Sequence, residues 1–282
     1  MKQIAAATIA AAALLAAGPA AAAPFAMITD LKGDAWVVEG KQAQKLALLA
    51  YIEKPTEVRI DPAGRLAVTY FAEGMQYSFS GPARLALETA MPKVIEGPSA
   101  ESRKVTPEKG IKGGLSTEQW RRLQQATVVM RTVRPSFSVV GPDKTALLER
   151  EPEFEWTPLP GARAYRLVVY GSDSSILHEE TTGQNALRPG KLPLQPGKRY
   201  RWKVDALGVS KPASASGSFA LAEEAAREEM QGLKVSAGKD AAARAFYATT
   251  LEAAGHTHDA RSEWKALARD HPDEPEYQRR AR

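Results

Sequence analysis

Alternation of apolar and polar residues between Pro152 and Phe219 limits the possible folds more than any other feature of this sequence. Three segments place large apolar side chains at every second position: Phe154 and Trp156; Tyr165, Leu167 and Val169; Tyr200, Trp202 and Val204. A period of two is typical of a strand that buries one face. Because turns containing Gly and Pro separate the segments, we predict an antiparallel β-sandwich with Trp156 and Trp202 in its core.

The same segment resembles a fibronectin type III-like domain. Its early part reads Pro-x-Phe-x-Trp from Pro152 and Gly-Ala-x-x-Tyr-x-Leu-x-Val from Gly161. Its later part, from Leu194 to Val204, reads Leu-x-Pro-Gly-x-x-Tyr-x-Trp-x-Val. The resemblance implies one sandwich domain over residues 135–221.

A second β-rich region precedes the sandwich. Its alternating apolar positions are Val58 and Ile60; Leu66, Val68 and Tyr70; Tyr77 and Phe79; Leu85 and Leu87. Short strands with turns between them predict a small sheet that buries one face. The residues Gly33–Val38, Arg65–Phe71 and Gly74–Leu87 resemble a FecR-type domain. This resemblance implies an extracytoplasmic β domain over residues 23–101, used in envelope sensing or regulation, and it carries over no catalytic residue.

The first 22 residues are typical of a secretory signal peptide. Lys2 is followed by the apolar stretch Ile4–Ala17, the helix breaker Gly18-Pro19, and small residues suited to cleavage after Ala22. The alternative is an uncleaved anchor, but the stretch is shorter than the roughly 20 residues that span a bilayer. No later stretch approaches that length, so we predict a mature chain without a membrane span.

Cysteine usage and charge indicate a compartment. The chain has no Cys, which excludes disulfides and thiolate sites. An exported chain of this kind fits the periplasm of a Gram-negative bacterium. Removal of residues 1–22, which contain one Lys and no acid, lowers the formal charge from +5 to +4. A mildly basic exported protein is compatible with anionic envelope polymers and does not indicate nucleic-acid binding.

Residues 102–134 form a basic connector. Ser116 and Gln119 have the spacing of a helix start, so a helix is predicted to carry Trp120, Arg121 and Arg122. One interpretation is a basic patch that contacts a partner or an anionic polymer. The other is a solvated linker helix that docks its apolar residues on a neighbour.

Residues 222–282 predict three helices, over Ala222–Met230, Lys239–Ala254 and Asp259–Asp270. The last two resemble a single tetratricopeptide repeat. In that resemblance Ala248 and Ala260 are the small packing residues, Gly255 the turn, Trp264 the large aromatic and Pro272 the closing proline. A single repeat is expected to pack with the first helix as a small bundle or to recruit repeats from a partner. Because such helix pairs bind proteins, the resemblance makes Trp264 and Tyr247 candidate partner-binding residues.

Catalytic patterns are absent from the sequence. It has no His-Glu-x-x-His, no Gly-x-Ser-x-Gly and no phosphate-binding glycine loop. His256 and His258, with Asp259 beside them, form a pattern with metal-ligand chemistry, and the alternative is a solvent-facing turn. We predict no catalytic residue, no cofactor and no metal.

The fold class predicted is therefore multidomain and mainly β: a FecR-like domain, a fibronectin type III-like sandwich and a short helical tail. The predicted function is a non-enzymatic periplasmic binding or adaptor protein for envelope sensing or assembly. Its partners would be envelope proteins, with peptidoglycan or an anionic glycan as a second ligand class, and no nucleic acid. One alternative is a sensory or regulatory subunit acting in trans on an inner-membrane signalling enzyme. Another is a polysaccharide-active enzyme whose site lacks a known pattern.

Overall fold

The computed structural model describes residues 23–39, 42–106 and 137–282. These ranges contain eighteen strands and four helices, so the chain is mainly β with a short C-terminal helical region. The predicted signal peptide and most of the basic connector, including Trp120, Arg121 and Arg122, lie outside the described residues. Within the described ranges, no helix combines the length and the apolar character needed to cross a membrane.

The first β domain consists of two five-stranded antiparallel sheets. Its strands are β1 (Ala26–Lys32), β2 (Ala35–Glu39), β3 (Gln42–Lys45), β4 (Tyr51–Ile52), β5 (Thr56–Ile60), β6 (Arg65–Tyr70), β7 (Met75–Ser80), β8 (Ala83–Leu87), β9 (Pro92–Glu96) and β10 (Glu101–Lys104). One sheet has the order β10-β7-β6-β1-β4, and the other has the order β3-β2-β5-β8-β9. Ile28, Val58, Val68 and Leu85 belong to the apolar core that the two sheets share.

The prediction of one small sheet with a single buried face is wrong for this domain. The β1–β6 pair is covered on both sides, since Ala26 and Ile28 belong to the β core while Met27 belongs to a cluster with the helices. A strand covered on both faces loses the alternation by which sequence patterns reveal strands. That is why β1 is absent from the strands predicted above.

Strand pairing in the first β domain continues past residue 101, the predicted end of that domain. Residues 101–104 form β10, which pairs with β7 in the register Glu101↔Ser78 to Lys104↔Met75. Val105 follows and is buried in a cluster with residues of the helices. The first domain therefore continues through residues assigned above to the connector.

The second β domain has strands β11 (Val139–Gly141), β12 (Thr145–Leu147), β13 (Phe154–Trp156), β14 (Ala164–Tyr170), β15 (Ile176–Thr182), β16 (Ala186–Leu187), β17 (Arg199–Leu207) and β18 (Ala213–Leu221). They form a three-stranded sheet, β11-β13-β16, and a five-stranded sheet, β12-β18-β17-β14-β15. β12 pairs with β18 in parallel, and the other pairs are antiparallel. Trp156 and Trp202 are completely buried, which confirms their prediction as core residues.

The helical region has four helices: α1 (Glu224–Ala237), α2 (Ala241–Ala253), α3 (Thr257–Asp270) and α4 (Pro275–Arg280). Asp240 caps α2 by accepting a hydrogen bond from the amide of Ala243 at 2.8 Å. Sequence analysis missed α4, because six residues are too few for a periodic pattern to emerge.

The helices are not a separate bundle, because they pack on both β domains. On one side Met27 and Leu49 share a buried cluster with Ala248 and Trp264. On the other side the amide of Ala146 in β12 donates to the carbonyl of Gly255, between α2 and α3, at 3.2 Å. Apolar residues of α2 and α3 are thus covered by this chain's own strands and loops.

A polar network also ties the first β domain to α2. Thr29, Thr69 and Gln76 are buried and hydrogen-bonded to one another inside the domain. The Gln76 Oε1 accepts from Arg103 Nε at 2.6 Å, and Arg103 also pairs with Asp240, the cap of α2. β10 and the start of α2 are therefore held together by a charge-assisted link.

Candidate functional site

The second β domain and the helices meet along β12 and the residue that follows it. The amide of Leu148 donates to Asp259 Oδ2 at 3.2 Å, and the Leu148 carbonyl accepts from Arg227 Nε at 2.8 Å. These bonds join the end of β12 to α1 and α3. Next to them lies an open cleft of about 440 Å³, within the size range of ligand-binding pockets.

The cleft is acidic. It is lined by Asp259 and by six glutamates: Glu149, Glu151, Glu153, Glu224, Glu228 and Glu263. The lining also includes three basic residues, Arg188, Arg227 and Lys234, against a total of seven acidic residues. The cations leave a clear excess of acid in the cleft, which gives it a negative potential when the carboxyls are ionised.

The carboxylates of the cleft are neutralised to different degrees. Glu224 pairs with Arg227 at 2.6 Å, and Glu263 pairs at 2.6 Å with Arg244, which lies outside the cleft. Glu149 and Glu153 have cations only at 4.0 Å. The exposed carboxylates of Glu151 and Glu228 form no ion pair with any described residue.

Asp259 is the most strongly perturbed carboxyl in the cleft. Burial raises its pKa to about 7, and nearby Glu149 acts in the same direction, whereas the hydrogen bond from Leu148 opposes them. Desolvation disfavours the charged form of an acid. Near neutral pH, Asp259 is therefore divided between its protonated and ionised forms.

Tyr247 contributes a hydroxyl to the cleft. Only 4% of the residue is exposed, and its ring belongs to an apolar cluster with Phe246 and Leu251. The residue lines the cleft, and its hydroxyl has no hydrogen bond to any described residue. Burial, followed by the charge of Asp259, raises the pKa of this phenol. It therefore keeps its proton and can both donate and accept a hydrogen bond.

In the α2–α3 turn His256 is buried and His258 is half-buried at the edge of the cleft, so the interpretation as a solvent-facing turn is wrong for His256. His256 is 4% exposed, and its Nδ1 donates to the carbonyl of Ala146 at 2.7 Å. The backbone amide of His258 donates to Thr145 Oγ1 at 3.3 Å. Burial lowers the pKa of both rings, that of His258 to about 4. β12 covers the turn, and no local sequence pattern predicts that contact.

The candidate partner-binding residues fall into two groups. Trp264 is completely buried and Tyr247 nearly so, in two different clusters, and neither ring is on the surface. Trp120, Arg121 and Arg122 lie outside the described residues. In the part of the chain that the structure describes, no group of three His, Cys, Asp or Glu residues is arranged to hold a metal ion.

Sequence reasoning missed the acids of the cleft. Glu149, Glu151 and Glu153 come from the segment after β12, whereas Glu224 and Glu228 lie one turn apart on α1. Alternate spacing in an extended segment and a four-residue spacing in a helix each put side chains on one face. Those spacings were visible in the sequence, but their convergence depends on tertiary packing.

Replacing Asp259 with Asn is expected to change how stability depends on pH. The folded pKa is about 7, above the ordinary value of 3.8, so the folded state holds the proton more tightly than the unfolded state. Stability conferred by this proton is present below pH 3.8 and is lost as pH rises through 7. Asp259→Asn removes this loss while keeping an oxygen for the Leu148 amide. The free energy of unfolding of the variant, measured relative to that of wild type, should therefore be about 2–4 kcal/mol higher at pH 8.5 than at pH 5.

Urea unfolding of both proteins at the two pH values measures this effect. Asp273→Asn, an exposed aspartate for comparison, should show no such trend. A difference between Asp259→Asn and wild type that does not vary with pH would show that Asp259 ionises normally.

Comparison with known proteins gives little further information. No family model matches the chain, and no curated protein matches it. Seven chains of solved structures match it. One of them, described as "Crystal Structure of FN3tt", is 20% identical, covers 30% of this chain and 88% of its own, and has a TM-score of 0.20.

Proposed function

We propose that this protein is a non-enzymatic binding or adaptor protein of the periplasm, which holds a protein partner in the acidic cleft. The observation that best supports this is the position of the cleft, where the second β domain and the helices meet. Ligand sites commonly form at junctions between domains. In this proposal the two β domains and the helices act as one body, because buried clusters and hydrogen bonds connect them.

The proposal includes the family assignments and the compartment. The first β domain is assigned to the FecR type, the second to the fibronectin type III-like sandwiches, and α2 and α3 to a tetratricopeptide-like pair. The support is the set of residues quoted for each resemblance: Tyr200 and Trp202 lie in a core, and Ala248 and Ala260 are fully buried. The compartment rests on residues 1–22 and the lack of Cys.

Site-specific cross-linking tests the proposal. A photoreactive amino acid in place of Glu228, in a chain incubated with envelope extract, should cross-link one specific protein. The same amino acid in place of Glu88, an exposed residue of the first β domain, is the control and should not. Equal cross-linking at both positions, or none at either, would contradict the proposal. Identification of an inner-membrane signalling enzyme would make the adaptor a regulatory subunit acting in trans.

A second candidate function is hydrolysis of an envelope polysaccharide. The observation that favours it is Asp259, because a carboxyl with a pKa of about 7 is suited to general acid catalysis. Release of soluble fragments from peptidoglycan by the purified protein, abolished in Asp259→Asn, would replace the adaptor proposal with this one.

A further inference from the structure

The cleft has carboxylates that the protein does not neutralise itself. Glu151 and Glu228 have exposed side chains, line the cleft and form no ion pair with a described residue. Glu149 and Glu153 stand on the same segment as Glu151 at alternate positions. Carboxylates gathered along one cleft repel one another, and a ligand of opposite charge relieves that repulsion.

Tyr247 is an independent sign of a ligand. The residue is only 4% exposed and lines the cleft, yet its hydroxyl has no hydrogen bond to any described residue. The hydroxyl is therefore free to form a hydrogen bond with a ligand group that enters the cleft in place of water. A donor entering the cleft beside Asp259 would satisfy the hydroxyl as an acceptor.

The chemistry of the lining indicates an organic cation. Metal ions are held by several converging ligands, and the described residues contain no such group. An ammonium or guanidinium group carries several N–H donors, which match carboxylates and a phenol oxygen. The volume of about 440 Å³ admits a long side chain together with adjoining backbone.

The arrangement of the acids further indicates a peptide chain. One row follows the extended segment after β12, at residues 149, 151 and 153, and another follows α1, at residues 224 and 228. We propose that the cleft binds a lysine- or arginine-containing segment of the partner protein, with one cationic side chain reaching the Tyr247 hydroxyl. This inference rests on the proposed function and names the chemistry of its partner.

Calorimetric titration with defined probes tests the inference. The probes are a tetralysine peptide with blocked ends, the same peptide with acetylated lysines, and spermidine as a free amine. The tetralysine peptide should bind, the acetylated peptide should not, and spermidine should bind more weakly than tetralysine. Binding of the acetylated peptide, no binding of tetralysine, or tighter binding of spermidine would overturn the inference.

Variants locate the binding in the cleft. Glu151→Gln with Glu228→Gln should weaken tetralysine binding about tenfold or more, since charged contacts across an interface carry this much. Tyr247→Phe should weaken it several-fold without loss of stability, because the ring stays in its apolar cluster. Glu73→Gln with Glu88→Gln removes equal charge from exposed positions of the first β domain and should change binding less than twofold. Equal weakening by both double variants would show nonspecific attraction and overturn the cleft assignment.

The two proposals fail separately. If Glu228 cross-links a partner whose contacting segment has no Lys or Arg, the ligand chemistry is wrong and the adaptor proposal stands. If tetralysine binds in the cleft but no envelope protein cross-links there, the adaptor proposal is wrong and the cationic site stands as a small-ligand site.

Discussion

Replacing Trp264 with alanine is expected to lower the free energy of unfolding by about 3–5 kcal/mol. The indole is fully buried in a cluster that includes Met27 and Leu49 of the first β domain. Its ring packs on Tyr277 with centroids 5.9 Å apart, and its Nε1 donates to Glu252 at 2.8 Å. The substitution therefore opens a cavity between the helices and β1 and also takes a donor from the partly buried carboxylate of Glu252.

Urea unfolding measures the loss in free energy of unfolding, and two further variants serve as controls. Trp264→Phe keeps most of the apolar volume and loses the N–H, so its loss should be the smaller one. Val235→Ala, at a position 70% exposed on α1, should stay within about 0.5 kcal/mol of wild type. If Trp264→Ala leaves stability unchanged and abolishes partner binding, Trp264 is a surface contact as the tetratricopeptide resemblance implies.

The sequence predicted the long strands β14 and β17 of the second β domain because one face of each meets solvent. In β17, Tyr200, Trp202 and Val204 are buried while Arg199 and Arg201 are exposed, so alternation survives in the sequence. β1 shows no such alternation, because the consecutive residues Ala26 to Thr29 are all buried. The first face is covered by the opposite sheet and the second by α2, and that second contact is a product of tertiary packing.

The positions of α2 and α3 were predicted closely, whereas α1 continues to Ala237, beyond its predicted end at Met230. Ala245 to Leu251 of α2 are all buried, and a helix that is apolar all round belongs in an interior. This signal was present in the sequence and argued against Tyr247 as an exposed contact. The resemblance to a repeat concealed it, because a repeat helix in an array also buries most of its surface, against its neighbours.

The candidate site itself was beyond prediction from local patterns. Its carboxylates come from the segment after β12, from α1 and from Asp259 in α3. Each segment alone resembles an ordinary solvated stretch. Burial raises the pKa of Asp259, and that burial arises in a fold that brings Leu148, more than one hundred residues earlier in the chain, within hydrogen-bond distance. Properties that arise from such long-range contacts leave no mark in the spacing of residues.

Replacing Arg280 with alanine is expected to destabilise the protein by about 3–5 kcal/mol at pH 8. Arg280 Nη1 lies 2.9 Å from Glu252 Oε2, and the two side chains are only 19% and 20% exposed. The guanidinium also lies over the Trp264 ring, 5.8 Å from its centroid. Removing it leaves Glu252 partly buried without its cation and detaches α4 from α2.

The size of this loss should depend on pH. Burial raises the pKa of Glu252, while Arg280 and the Trp264 hydrogen bond oppose that rise. Without Arg280 the pKa rises further, so the folded state of the variant binds the proton more tightly than the unfolded state does. Its stability is then lost as pH rises from the ordinary value of 4.5 through the raised folded value. The deficit against wild type should be smaller at pH 5 than at pH 8.

A double-mutant cycle separates the ion pair from the packing of α4. Glu252→Gln combined with Arg280→Ala removes the uncompensated charge, so the double variant should be more stable at pH 8 than Arg280→Ala alone. Because the glutamine that replaces Glu252 does not titrate, the double variant should also lack the loss of stability with rising pH that Arg280→Ala shows. A deficit that is equal in the single and double variants would assign the effect of Arg280 to its contacts with Trp264 and Glu276. The charge of Glu252 would then have no part in holding the C-terminal helix.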